Sequence, residues 1–145
     1  MARLRPACGV PRGGLLGVQR PVTSVERRGR ADGSRLSRVT SGIVHLYAQH
    51  YGKGPTQARS HLVGDVLICV MYDGLIPAER TLVERGAGEM VHAMRRAWQE
   101  SMHESFREIV ESATNRRVRA FLSQVNLDAD IHIEVFILEP DPTAP

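Results

Sequence analysis

The sequence predicts an α+β domain in two layers, a mainly antiparallel sheet of about four strands with helices packed on one face, in the order α-β-β-α-α-β-β. Three observations carry this. Two pairs of β-type runs are each joined by a short turn, segments with helical spacing precede and separate those pairs, and 145 residues suffice for one core without disulfides or metal.

The first helix is expected from Leu36, where Leu36, Val39, Ile43, Leu46 and His50 advance by steps of three and four, with Val44, Tyr47 and Tyr51 beside them. Ser34 or Ser37 can cap its start, and Gly52 can take the left-handed position that ends it. Gly42, mid-helix, costs up to about 1 kcal/mol relative to Ala, which is tolerable where a neighbour packs closely.

Gln57–Val63 and Val66–Tyr72 flank Gly64-Asp65 and read as a tight hairpin with positive φ at Gly64. Pro55 ahead of Ala58-Arg59-Ser60 leaves a short helix open as the alternative for the first run. Val66–Tyr72 is apolar on both faces and reads as an inner strand. A short helix follows from Leu75 to Arg85, with Pro77 at its first position and Glu79 at its third. Ile76 lacks the oxygen that would cap it, which leaves this helix frayed or held by Ile76 packing.

The longest element is expected as one helix from Glu89 to about Thr114. Met90, Met94, Ala97, Trp98, Met102, Phe106, Ile109, Val110 and Ala113 would form its apolar face, with an acidic solvated face opposite. In Arg117–Val125, Val118, Ala120 and Leu122 fall on one side and Arg119, Phe121 and Ser123 on the other. Ile131, Ile133, Val135 and Ile137 alternate with His132, Glu134, Phe136 and Leu138 in a half-buried last strand, after a turn at Asn126–Asp130.

The net charge of +3 is unevenly placed. Before Leu36, eight Arg stand against Glu26 and Asp32, so 8 − 2 = +6, and the remainder carries +3 − 6 = −3. Residues 1–35 therefore read as a disordered Arg/Gly/Pro-rich leader, residues 36–140 as the folded domain and 141–145 as a disordered tail. RNA or lipid binding through that leader is one functional alternative, while nucleic-acid binding is not expected of the folded part. No signal-type apolar stretch and no run of about 18 apolar residues is present, so no membrane span is expected. Cys8 and Cys69 are too few for a disulfide framework, and Cys69 reads as a small buried hydrophobe in a reducing compartment.

Gly52-Lys53-Gly54-Pro55-Thr56 has the glycines, lysine and hydroxyl of a phosphate cradle but not the spacing or the following helix of a P-loop, and reads as a helix cap and turn. Lys53, Arg59 and Arg80 around a small anion define a second alternative, a ligand sensor. His132 and Glu134 share a strand face that two metal ligands could use. A cross-strand polar pair accounts for them better, and neither a metal nor another cofactor is expected. No nucleophile elbow or other catalytic motif is found, so enzymatic activity is not expected.

Gly52–Thr56, together with Leu75-Ile76-Pro77-Ala78-Glu79-Arg80-Thr81-Leu82-Val83-Glu84, resembles the MpsC family, the C component of a sodium-translocating, membrane potential-generating system. The resemblance runs from about Leu36 to Pro140, carried further by Arg119-Ala120-Phe121-Leu122-Ser123 and Ile133–Pro140. Family members commonly have Thr at the position of Ile76. The resemblance implies a non-catalytic accessory or regulatory protein of a membrane ion- or bicarbonate-handling complex. Its partners would be membrane-complex proteins encoded by other chains, with the protein cytoplasmic and peripheral at the inner face. The binding candidates are Lys53, Gly54, Pro55, Thr56, Arg59, Glu79 and Arg80. A homodimer through the long helix or an edge strand is a further expectation, the last strand being taken to leave an open edge.

Overall fold

The computed structural model describes residues 24–143. The elements are α1 (Ser24–Tyr51), β1 (Gln57–Val63), β2 (Val66–Tyr72), α2 (Pro77–Glu84), α3 (Gly88–Ser101), α4 (His103–Thr114), β3 (Val118–Asn126) and β4 (Ile131–Leu138). The strands form one antiparallel sheet in the order β1-β2-β4-β3. Helices cover one of its faces, as expected of the class. Gln57–Val63 is a strand, not the alternative helix, and Gly64 turns the hairpin at φ 60°.

Five features differ from the expectation. α1 begins at Ser24 rather than Leu36. Once its packed half is nucleated, each added residue costs little, and Asp32 and Arg35 pair at 3.6 Å across one turn. Residues 1–23, which hold the rest of the expected leader, its RNA or lipid arm and Cys8, lie outside the described residues.

The expected long helix is divided at Met102. Ser101 Oγ donates to Trp98 O at 2.7 Å and competes with the backbone. Met102 N–H still reaches Trp98 O at 2.9 Å, and Phe106 N–H reaches Met102 O at 3.1 Å, so the axis is bent rather than severed. The buried face of α3 is also not the one expected: Val91, Arg95 and Gln99 are buried, while Met90 and Met94 are 65% and 46% exposed.

β4 is a central strand, paired with β2 on one side and β3 on the other, so the open edges belong to β1 and β3. Finally, a β-bulge between Val118 and Ala120 breaks the alternation of β3. Val118 therefore points inward together with Phe121, Ser123 and Val125, not with Ala120 and Leu122.

Register fixes the inner face row by row. Met71, His132 and Val125 form one row; Ser60, Cys69, Glu134 and Ser123 the next; Leu62, Leu67, Phe136 and Phe121 the third. A large aliphatic-aromatic core joins α1, α4 and the sheet through Val39, Ile43, Tyr47, Leu67, Phe106 and Phe136. A smaller cluster of Leu75, Val91, Val125 and Leu127 lies under α2, with Leu82 and Val83 against it. His132 stands in register between Met71 of the first cluster and Val125 of the second, so the inner face is polar where the two cores meet.

At Gly42 α1 lies tight against α4: a Cβ there would stand 2.7 Å from Ile109 Cγ2. Gly42→Ala gains about 1 kcal/mol of helix propensity, against an overpacking cost of about 1–3 kcal/mol. We expect a net loss of about 1 kcal/mol, read as a lower midpoint in urea denaturation. A stabilised Gly42→Ala variant would show that the two helices can separate freely.

Candidate functional site: a buried charge network beneath the 73–76 loop

The connection from β2 to α2 is short and turns sharply, with Asp73 at φ 55°, and its backbone groups are bound almost completely by side chains from elsewhere. Asp130 Oδ1 accepts Gly74 N–H at 3.0 Å and Leu75 N–H at 3.1 Å, while Asp130 O accepts Asp73 N–H at 3.0 Å. Glu79 Oε2 accepts Ile76 N–H at 2.9 Å. Ile76 has no oxygen to return that bond, so only half of a capping box exists, and α2 is held by its acidic half. Arg95 Nη2 donates to Gly74 O at 2.9 Å, and Lys53 Nζ donates to Asp73 O at 3.1 Å and, more distantly, to Leu75 O at 3.5 Å. Thr56 Oγ1 donates to Asp73 Oδ2 at 2.6 Å.

Below the loop lies a chain of charges. Arg95, 1% exposed, makes a bidentate pair with Glu79 at 2.8 and 2.6 Å. Its guanidinium carbon sits 4.1 Å from the centroid of the Tyr51 ring. Burial alone would lower the Arg95 pKa, but the Glu79 carboxylate outweighs it and holds the guanidinium charged. Arg95 Nη1 faces His132 Nδ1 at 3.4 Å, and His132 Nε2 faces Asp130 Oδ1 at 2.9 Å. Burial, helped by the Arg95 charge, lowers the His132 pKa against the pull of Asp130. A neutral ring with its proton on Nε2 satisfies both contacts, accepting from Arg95 and donating to Asp130. Burial would raise the Asp130 pKa, yet His132, Leu75 N–H and Arg80 together lower it. The chain ends at Arg80, which reaches Asp130 Oδ2 at 2.7 Å from a half-exposed position on α2. Two cations and two anions alternate through one neutral imidazole.

Glu134, one row further along β4, is fully buried with partners of its own. Tyr47 donates to its Oε1 at 2.5 Å, and Gln99 Nε2 lies 3.5 Å from both the Tyr47 hydroxyl and that oxygen. Burial pushes the carboxyl up to about 7, with Tyr47, Ser123, Gln99 and Arg95 opposing it. Ser123 stands opposite in register, close enough to favour the charged form, but neither its Oγ nor Glu134 Oε2 makes a hydrogen bond of ordinary geometry. Burial, together with the same contact with Glu134, holds the Tyr47 hydroxyl protonated well beyond its usual range.

Of the residues singled out from sequence, Lys53, Thr56, Glu79 and Arg80 meet at this loop. Gly54 serves it indirectly: a Cβ there would lie 3.3 Å from Val44 Cγ1 and from Val44 O, so the turn containing Pro55 lies tight against α1. Arg59 is not part of the group. It stands on the opposite, exposed face of β1, paired in register with Val70. Sequence reading missed Arg95, Asp130, Gln99 and Tyr47. The one local signal for this buried face is the spacing of Val91, Arg95 and Gln99 at every fourth position. Among the described residues no group of His, Cys, Asp and Glu is arranged to hold a metal.

These features define a two-layer α+β domain in which the charged residues of this network bind one another and the backbone of the 73–76 loop. The Na+-translocating membrane potential-generating system (MpsC) family model matches residues 32–140, and the chain belongs to that family. No curated protein and no solved structure gives a significant match.

The buried charges can be tested at two of their carboxylates, Glu79 and Glu134. Arg95→Met leaves the Glu79 carboxylate buried and unpaired, and should cost about 3–5 kcal/mol in denaturant unfolding. Arg95→Met/Glu79→Gln should recover part of that loss, because the uncharged amide still accepts Ile76 N–H; strict additivity of the two changes would deny the coupling. For Glu134, a carboxyl raised from 4.5 to about 7 keeps its proton in the folded state while the unfolded chain has lost it. Its contribution is therefore fully present below pH 4.5 and is lost as pH rises to about 7, on the order of 3 kcal/mol in all. His132, with its pKa lowered by burial, acts in the opposite sense below its ordinary 6.5, but it is common to both proteins in a comparison. Glu134→Gln should gain stability relative to the parent as pH rises from about 5 to about 8, measured by urea unfolding at both values. A pH-independent difference would refute the raised carboxyl.

Proposed function

We propose that the chain is a non-catalytic accessory or regulatory component of a membrane sodium-translocating, potential-generating system, acting by binding membrane-complex proteins encoded by other chains. The observation that carries the reading is the convergence of the family-bearing segments, Gly52–Thr56 and Pro77–Glu84, on one clamped loop. Their polar groups are engaged in shaping that loop, which suits a rigid recognition surface better than a reactive centre. An anion sensor built on Lys53, Arg59 and Arg80 would have to draw Lys53 and Arg80 away from partners they already hold, and Arg59 stands on the other face of the sheet. No helix among the described residues is long and apolar enough to cross a membrane, so attachment at the cytoplasmic face would run through the partner chains.

The test is an affinity capture from native-host membranes with the full-length chain, a Lys53→Ala/Arg80→Ala variant and an Arg96→Ala control, each checked for folding by thermal melting. Retention of an integral membrane complex by the parent and the control, with a loss of about tenfold or more in the double variant, is the expected result. Equal retention by a folded double variant would remove this loop from the binding surface, and no retention by the parent would remove the accessory role.

A further inference from the structure

The face of the sheet turned away from the helices is aliphatic where an open antiparallel sheet is usually polar. Along its centre stand Val66, Ile68 and Val70 of β2 and Ile133, Val135 and Ile137 of β4, all half-buried. Val63 at one edge is 71% exposed and Leu122 at the other 56%. None of the outward positions in register carries a carboxylate, and Arg59 is their only fixed charge, with His61 beside it on the same edge strand. Arg119 stands in the bulge at the start of β3, outside the paired rows, with Glu139 at 4.0 Å. No element among the described residues covers this face.

We infer that a second copy of the chain packs on it, sheet against sheet, about a twofold axis parallel to the strands. Register selects that axis. Rotation about it lays β1 of one copy over β3 of the other while keeping each row in place. Val70 then faces Ile133 of the second copy, Ile68 faces Val135, and Arg59 faces the uncharged amide of Gln124. An axis across the strands would instead stack the two β1 edges and bring Arg59 and His61 of both copies together. Four strands about 4.8 Å apart and about seven residues long give a plan area of roughly 450 Å² per copy before side-chain relief is counted. Two such faces with their relief clear the ~1,000 Å² minimum of a biological interface. An open sheet face of aliphatic side chains encloses little of a small ligand and offers it few polar groups. A single cation in register gives an anionic lipid surface or a charged protein little to pair with. A second copy offers the same aliphatic rows and keeps the two Arg59 side chains apart, in the aligned packing usual for stacked sheets.

Sedimentation velocity of the full-length chain from about 1 to about 100 µM should show a dimer. Val70→Lys and Ile133→Lys, which place a charge on a solvent-side position of the monomer, should each weaken dimerisation at least about 100-fold while leaving the thermal transition cooperative. A Cys8→Ser/Arg59→Cys/Gln124→Cys variant should be joined into a covalent dimer by a bis-maleimide spanning about 8 Å, because facing Cα atoms of stacked sheets stand about 10 Å apart, beyond the reach of a disulfide. Within one chain those two positions are on opposite edge strands, about 14 Å apart, too far to bridge. A monomer throughout the concentration range overturns the inference, as does a dimer that survives both lysine substitutions. If both lysine variants fail to fold, the cross-link decides: a covalent dimer supports the stated axis and its absence refutes it.

Discussion

A single buried guanidinium holds the β2–α2 connection, α2 itself, α3 and β4 to one another. Arg95 uses its fork on Glu79, turns Nη2 to the Gly74 carbonyl and Nη1 to His132, and lays its flat face on Tyr51. Desolvating such a charge is expensive, and the arrangement is tolerable only because Glu79, His132, Asp130 and Arg80 continue the alternation out to the surface. Lysine could not replace it, having neither the planar fork nor the stacking face. The need for this anchor is plain from α2, which brings little beyond Leu82 and Val83 to the small core beneath it. Its docking is specified by polar geometry more than by buried area.

Gly74 shows how closely the loop depends on that anchor. A Cβ at this position would lie 2.8 Å from His132 Nε2, the atom that bridges to Asp130. The glycine is required here because backbone and imidazole share the space, not because of its own φ. Lys53 and Thr56 hold the same loop from the α1 side, so a motif resembling a phosphate cradle binds the protein's own carbonyls and the Asp73 carboxylate instead.

Much of the architecture was legible in the sequence. The Gly64 turn, the Gly52 helix end and the apolar stripe of α1 are local signals, and local signals survive folding unchanged. The network was not legible, because periodicity treats every charged residue as solvent-facing. Arg95 and Glu134 are inside on account of partners far away in the chain: Glu79 for the one, Tyr47 for the other, 87 residues distant. The inward turn of Val118 was hidden for another reason, since a bulge changes the phase of a strand without leaving a mark in its alternation. Met90 and Met94 misled in the converse way, as apolar residues that the packing of Arg95 turns to the surface.

The sheet thus reverses the usual distribution of its two sides. Its inner face carries His132 and Glu134 because the helices above bring the groups that satisfy them, and its outer face carries Val and Ile at the central positions. β2 reads as a strand covered on both sides, yet the helices cover only one. Polar groups on the inner face reduce the apolar area the two-layer fold can bury, and Glu134 in particular weighs against stability near neutral pH. The aliphatic outer face is apolar surface from which that deficit could be made up. Covering it would remove from water the side chains that the helices leave open, and would stabilise the strand that carries both His132 and Glu134. The buried charges and the open face are therefore linked through β4, whose two sides serve the two layers.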